Sequence, residues 1–210
     1  MSGCLYVVSG PSGSGKSTII ERVRRRVGGL GFSVSHTTRR PRGAEQDGVE
    51  YHFVGQGRFE EMIDQGAFAE WARVYEDYYG TSLEEIRSKT SQGLDVIMDL
   101  DVRGAVNIQR RVKESVLIFV LPPSREALEH RLRERGTDEP SVVTARMEKA
   151  AEEIAACSRY DYLIVNERLE QAVEEMTAVI LAERCRSARR LSEVASRFPS
   201  VGIPEPSPQE

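Results

Sequence analysis

At 210 residues, with 40% hydrophobic and 30% charged side chains, the chain has the makeup of one globular domain, at most two. No apolar run approaches the roughly 20 residues of a membrane helix, so no membrane partner is expected, and a net charge of −4 argues against broad nucleic-acid binding while leaving local basic clusters able to take small anions. Cys4, Cys157 and Cys185 are too scattered for a disulfide framework or a zinc site, and the first strand begins so near Met1 that no leader is expected, which points to a cytoplasmic location.

Cys4 to Ser9 is a short apolar, β-branched run that reads as a strand, and Ile19, Ile20, Val23 and Val27 then recur at helical spacing. Between them lies Gly10-Pro11-Ser12-Gly13-Ser14-Gly15-Lys16-Ser17, a full match to the phosphate-binding pattern G-x-x-x-x-G-K-[ST], followed by Thr18. The glycines let several backbone N–H groups converge on one phosphate, and the first turn of the helix adds its own donors and positive dipole end. Lys16 is placed to reach the β- and γ-phosphates of a nucleotide, and the Ser17 hydroxyl to hold Mg²⁺.

Gly28-Gly29 ends that helix, and Gly31 to Ser35 alternates as a half-buried strand. Pro41 then blocks helix formation, and Arg39, Arg40 and Arg42 crowd into a candidate second anion site. From Val49 to Tyr79 the text reads as a small antiparallel α+β insertion: a strand at Tyr51 to Val54, a helix with Phe59, Met62 and Ile63 inward, then Phe68 to Ala72 and Tyr78 to Thr81. The hydroxyls of Tyr51, Tyr78 and Tyr79 can donate to phosphate. A helix capped by Thr81 or Ser82 runs to Gly93.

Asp95 to Leu100 reads as a buried parallel strand with Asp99 and Asp101 near its carboxyl end, the edge where ligands gather in open α/β sheets. One of these carboxylates supports Mg²⁺ through water or accepts from a base; capping the next helix suits Asp101 better. Ser115 to Leu121 and Tyr162 to Asn166 are further core strands, so alternating strands and helices predict a doubly wound parallel sheet of the α/β class. Between them, Arg131, Arg135 and Arg146 sit on a helix, glycine turn, helix hairpin that suits a mobile lid. Leu169, Ala172, Val173, Met176 and Ile180 face inward from a last helix; beyond Glu183, arginines and then prolines predict a frayed helix and a partly disordered tail.

Taken together, these segments resemble the guanylate kinase family over residues 3–182. The matching runs include the phosphate loop, Phe32 to Arg39 with Pro41 and Arg42, Asp47-Gly48 with Tyr51, Glu70-Trp71-Ala72, Tyr79-Gly80-Thr81, Asp99 to Asp101 with Gly104, Arg131 with Arg135 to Thr137, Arg146, and Ile164-Val165-Asn166. The resemblance implies a nucleotide-binding core of 3–33, 94–124 and 159–182, a GMP-binding insertion of 34–93, a lid of 125–158 and a tail from 183. It implies transfer of a phosphoryl group from ATP to GMP, with Mg²⁺ as the cofactor. Arg39, Arg42, Tyr51 and Tyr79 would grip the GMP phosphate, and Ser35, Glu70, Thr81 and Asp99 would read guanine. Glu45 resembles a further acid of that site, and Asn166 would lie by the ATP adenine. Lys16, Arg39, Arg131, Arg135 and Arg146 would carry catalysis. Chemistry agrees with the division, because guanine offers N1–H and N2 donors for which carboxylates are the right partners. Arg103 departs from the family's usual glutamine. Two alternatives stand beside this: a kinase for another small acceptor, and a phosphopeptide-binding module of the same fold without catalysis.

Overall fold

The computed structural model describes residues 3–134 and 140–202, with side chains from 142 onward in the second span. Strand β1 (Leu5–Ser9) is wholly buried, as its unbroken apolar run requires, and leads through the glycine-rich loop into α1 (Lys16–Arg26). β2 (Leu30–Phe32) is shorter than the alternating stretch suggested. The Ser33 N–H still reaches the Ile97 carbonyl at 3.3 Å, while the Val34 N–H, on the outer edge of this edge strand, donates to the Glu85 carboxylate at 3.1 Å.

The inserted region comprises β3 (His36–Thr37), β4 (His52–Phe53), α2 (Gln56–Asp64), β5 (Phe68–Val74) and β6 (Asp77–Ser82), with strand order β4-β3-β6-β5. It is not purely antiparallel as its sequence suggests: β3 and β4 run parallel, pairing His36 with His52 and Thr37 with Phe53. A parallel pair needs a crossover, and here the arginine-bearing stretch 38–51 makes it, which lays that stretch over the sheet. Phe59, Met62 and Phe68 form the insertion's own small core.

α3 (Leu83–Ser91) is capped by Ser82, whose hydroxyl accepts from the Glu85 N–H, and its Ile86 packs into the main core rather than the inserted one. β7 (Asp95–Asp99), α4 (Val102–Arg111) and β8 (Val116–Leu121) follow, then the hairpin of α5 (Arg125–Glu134) and α6 (Pro140–Ala155). In that hairpin Leu128 and Leu132 pack on Val143, Met147 and Ala150, and a fully buried leucine contributes about 1.5–3 kcal/mol. β9 (Tyr162–Val165) and α7 (Leu169–Arg184) complete the core.

The main sheet has the order β2-β7-β1-β8-β9 with every pair parallel. One face packs on α1 and α7 through residues such as Ile19, Val23, Ala172 and Ile180, and the other on α3 and α4 through Ile86, Ala105 and Ile108. Pairing of Val8 with Asp99, Ser9 with Phe119, and Leu121 with Val165 aligns the carboxyl ends of the strands. The phosphate loop, Asp99 and Asn166 therefore share one edge. Past Glu183, where the sequence predicts a frayed helix before the tail, the chain forms α8 (Ser187–Arg197). It is tied down by Arg189, which donates to the Glu114 carbonyl and pairs with buried Glu183. No helix among the described residues is long and apolar enough to cross a membrane.

Candidate active site

Two positions of the phosphate loop admit only glycine. At Gly10 (φ 144°) a Cβ would lie 2.1 Å from the Val120 carbonyl oxygen, and at Gly15 (φ 94°) it would lie 2.2 Å from Nδ2 of Asn166. α1 begins with no side-chain cap and no acid in its first turn, so its leading N–H groups remain available to an anion. The Lys16 ammonium donates to the carbonyls of Gly10 (2.5 Å) and Pro11 (3.5 Å) and stands 3.9 Å from Asp99. Ser17 Oγ donates to Asp99 Oδ2 at 3.1 Å. Burial pushes the Asp99 carboxyl above its ordinary range, opposed by the Lys16 charge and the Ser17 hydrogen bond.

The lid hairpin and β9 hold the loop from the far side. Arg131 donates to the carbonyls of Gly13 (3.5 Å) and Asn166 (3.1 Å), and Arg146 donates to Ser12 Oγ at 2.8 Å. Asn166 is buried, and its amide donates to the Ser14 carbonyl at 2.7 Å. That nitrogen shapes the loop by holding the Ser14 carbonyl. Arg135 lies outside the described residues.

On the inserted sheet, Ser35, Thr81 and Glu70 form a row. Ser35 Oγ and Thr81 Oγ1 are 3.3 Å apart, and Thr81 Oγ1 donates to Glu70 Oε1 at 3.1 Å. Burial pushes the Glu70 carboxyl up to about 7, with the Thr81 hydrogen bond lowering it and Asp101 raising it. Gly104 leaves room for the other oxygen: a Cβ there would lie 3.3 Å from Glu70 Oε2. Asp101 caps α4, accepting from the Gly104 N–H at 2.7 Å. Asp99 accepts its hydrogen bond from the phosphate loop, at Ser17, and not from this row.

Arg39 is buried, donates to both oxygens of Glu45 (2.9 and 3.0 Å), and lies over the Tyr51 ring at 5.3 Å. Tyr51 meets Tyr79 edge-on at 5.8 Å. Glu45 also accepts the Arg42 N–H at 2.7 Å. The Arg39 hydrogen bonds, then that N–H, hold the Glu45 carboxyl below its ordinary range. Glu45 thus positions the arginine that the sequence marks for the acceptor phosphate. The expected residues gather in two groups, one on the phosphate loop and one on the insertion. Sequence reasoning missed Glu153, which lines the loop cleft from α6; its spacing of seven from Arg146 was the available signal. The cleft encloses about 360 Å³. A hollow of 550 Å³ at the other end of the strands, lined by Gly3, Leu5 and Ile86, holds no phosphate-loop residue, so donor geometry and not volume marks the site.

The sequence profile described as "Guanylate kinase" matches residues 2–183 of the chain. The chain belongs to the guanylate kinase family. It is 47% identical to the guanylate kinase of Carboxydothermus hydrogenoformans over 187 residues, covering 89% of this chain and 92% of that protein. It is 46% identical to that of Syntrophotalea carbinolica, with 94% of each covered. Among solved structures it resembles the crystal structure of guanylate kinase from Anaplasma phagocytophilum, with a TM-score of 0.73, 31% identity, and 94% of this chain and 96% of that one covered. Membership of the family makes the protein a kinase, and its doubly wound sheet with a small inserted sheet and lid is the family's architecture.

Proposed function

We propose that the protein reversibly transfers the γ-phosphoryl group of ATP to GMP, yielding ADP and GDP. The observation that carries this reading is the row of Ser35, Thr81 and Glu70 on the inserted sheet, a hydroxyl and carboxylate set suited to the N1–H and N2 donors of guanine. Beside it, Arg39 is held in place for an acceptor phosphate by Glu45.

In this reading GMP docks on the insertion and ATP on the phosphate loop. The acceptor oxygen of GMP is already anionic, so no general base is required. Transfer then asks for positioning and charge neutralisation. Lys16 leaves the carbonyls of Gly10 and Pro11 for the β- and γ-phosphates. Arg39 and Arg42 hold the GMP phosphate with Tyr51 and Tyr79, while Arg131, Arg135 and Arg146 bring fixed positive charge from the lid. Mg²⁺, entering with ATP, supplies charge neutralisation at the phosphate oxygens. Ser17 and Asp99 would hold it: both offer hard oxygen donors, and Asp99 is a half-buried carboxylate that gains from a cation.

The test is an ADP-release assay with ATP and Mg²⁺, comparing GMP with AMP, CMP and UMP. Turnover with GMP, at least ~10³-fold above the others in kcat/KM, is expected for a site built to hydrogen-bond its base. Equal turnover with AMP would exclude the guanine assignment.

A further inference from the structure

The chain passes between the main sheet and the inserted one twice, outward along residues 33–35 and back through Ser82 into α3. On the way out the last rung of the main sheet is the Ser33 N–H to the Ile97 carbonyl, and the inserted sheet begins where His36 pairs with Gly80. Ser35, the first member of the proposed guanine row, lies in the gap between them. β2 is an edge strand, so the backbone groups on its outer side have no ladder partner. Two side chains of α3, one turn apart, take that place. Glu85 Oε1 accepts from the Val34 N–H at 3.1 Å and from the Lys89 ammonium at 2.6 Å, and the same ammonium donates to the Phe32 carbonyl at 2.7 Å. The Phe32 carbonyl and the Val34 N–H are two residues apart and face the same way, so the ion pair meets the linker as a neighbouring strand would. Both side chains are partly withdrawn from water, Glu85 at 16% exposure and Lys89 at 30%, where charge-assisted bonds hold better than on an open surface. On the other side of Ser35, its carbonyl accepts from the His52 N–H at 2.9 Å, and His52 Nε2 stands 3.9 Å from the second oxygen of Glu85.

We infer that Glu85 and Lys89 are positioning residues for the acceptor site: their ion pair ties the outgoing linker to the first turns of α3 and so sets where Ser35 stands against Thr81 and Glu70. This deepens the proposed function and rests on it. Among the described residues neither side chain hydrogen-bonds to the row itself, so their effect on the acceptor passes through the backbone on either side of Ser35.

Calorimetric titration of the full chain with GMP, and separately with ADP and Mg²⁺, tests this. Glu85→Ala is expected to weaken GMP binding about tenfold, near the worth of one charge-assisted hydrogen bond, and Lys89→Met about threefold. ADP affinity is expected to stay within about twofold in both, as for independent sites. Measured in a Ser35→Ala background, either effect on GMP is expected to shrink below about twofold, the non-additivity of groups that act through one another. Glu84→Ala, on the exposed side of the same turn, is expected to leave both affinities unchanged. Lys89→Met keeps an aliphatic stem at a partly exposed position and decides the matter should Glu85→Ala not fold. Unchanged GMP binding in the folded variants, an equal loss of GMP and ADP, an undiminished effect in the Ser35→Ala background, or the same loss in Glu84→Ala would overturn the inference. Wild-type protein that binds ADP but not GMP would overturn the acceptor reading as well, whereas wild-type GMP binding that the variants leave intact would overturn the inference alone.

Discussion

Thr81 on β6 donates to Glu70 on β5 because the pairing of the two strands slips between Phe68 and Glu70. Phe68 stays in the insertion's core while Glu70 turns toward Thr81 and Gly104, the kind of re-aiming that bulges perform beside active sites. The cost is a carboxylate with few donors.

That cost makes Glu70 a pH-dependent element. Its carboxyl lies at about 7 in the folded chain against an ordinary 4.5, so the folded state binds the extra proton between those values. Folding stability attributable to this group is therefore lowest above pH 7, rises as pH falls toward 4.5, and is level below that. Glu70→Gln is expected to raise stability at pH 8 by on the order of 1–3 kcal/mol and to lose that advantage at pH 5, read by thermal melts at both values. Equal melting shifts at the two pH values would contradict it.

Guanine donors need the anionic form. KM for GMP is expected to climb by about tenfold per unit as pH drops below 7, and to become flat in Glu70→Gln at a level ~10–100-fold higher, as one or two charge-assisted bonds are lost. Steady-state kinetics between pH 6 and 8 decide this.

Among the described residues Lys16 bonds only to loop carbonyls and faces Asp99, outside the hydrophobic core. Lys16→Met is expected to lower kcat by roughly 10³-fold or more, as removal of a transition-state charge does, with circular dichroism and melting temperature little changed. Retained turnover would remove the lysine from the mechanism.

Glu45 should show its effect through Arg39. Glu45→Ala frees a guanidinium that is now fixed at both nitrogens, and KM for GMP is expected to rise about tenfold, near the value of one lost charge-assisted bond, with kcat less affected. A kcat loss without a KM change would mean that Glu45 acts elsewhere.

Arg103, where the family usually has glutamine, is exposed and makes no hydrogen bond or ion pair among the described residues. Arg103→Gln is expected to shift KM for GMP by less than about tenfold, as surface changes away from buried networks do. A collapse of turnover would place it in the machinery.

Much of this architecture is legible in the sequence, because continuous apolar strands, helical periodicity and a full phosphate-loop pattern are local signals. What escapes is non-local. The parallel pairing of His36 with His52 involves two-residue strands too short to carry a period. Val34 continues the alternation, and nothing local shows that its N–H is taken by the distant Glu85. The sequence marks Asn166 and Glu45 for the site but does not show that the Asn166 amide holds the Ser14 carbonyl or that Glu45 holds Arg39. In each case the partner is found only in three dimensions.

The most direct test is a single turnover with ATP labelled at the γ-phosphorus, GMP and Mg²⁺, with the products separated. The label is expected in the β-phosphate of GDP, one for each ADP formed, and in neither product with Lys16→Met. Label released as inorganic phosphate, or left in ATP while GMP is bound, would contradict phosphoryl transfer between the two sites.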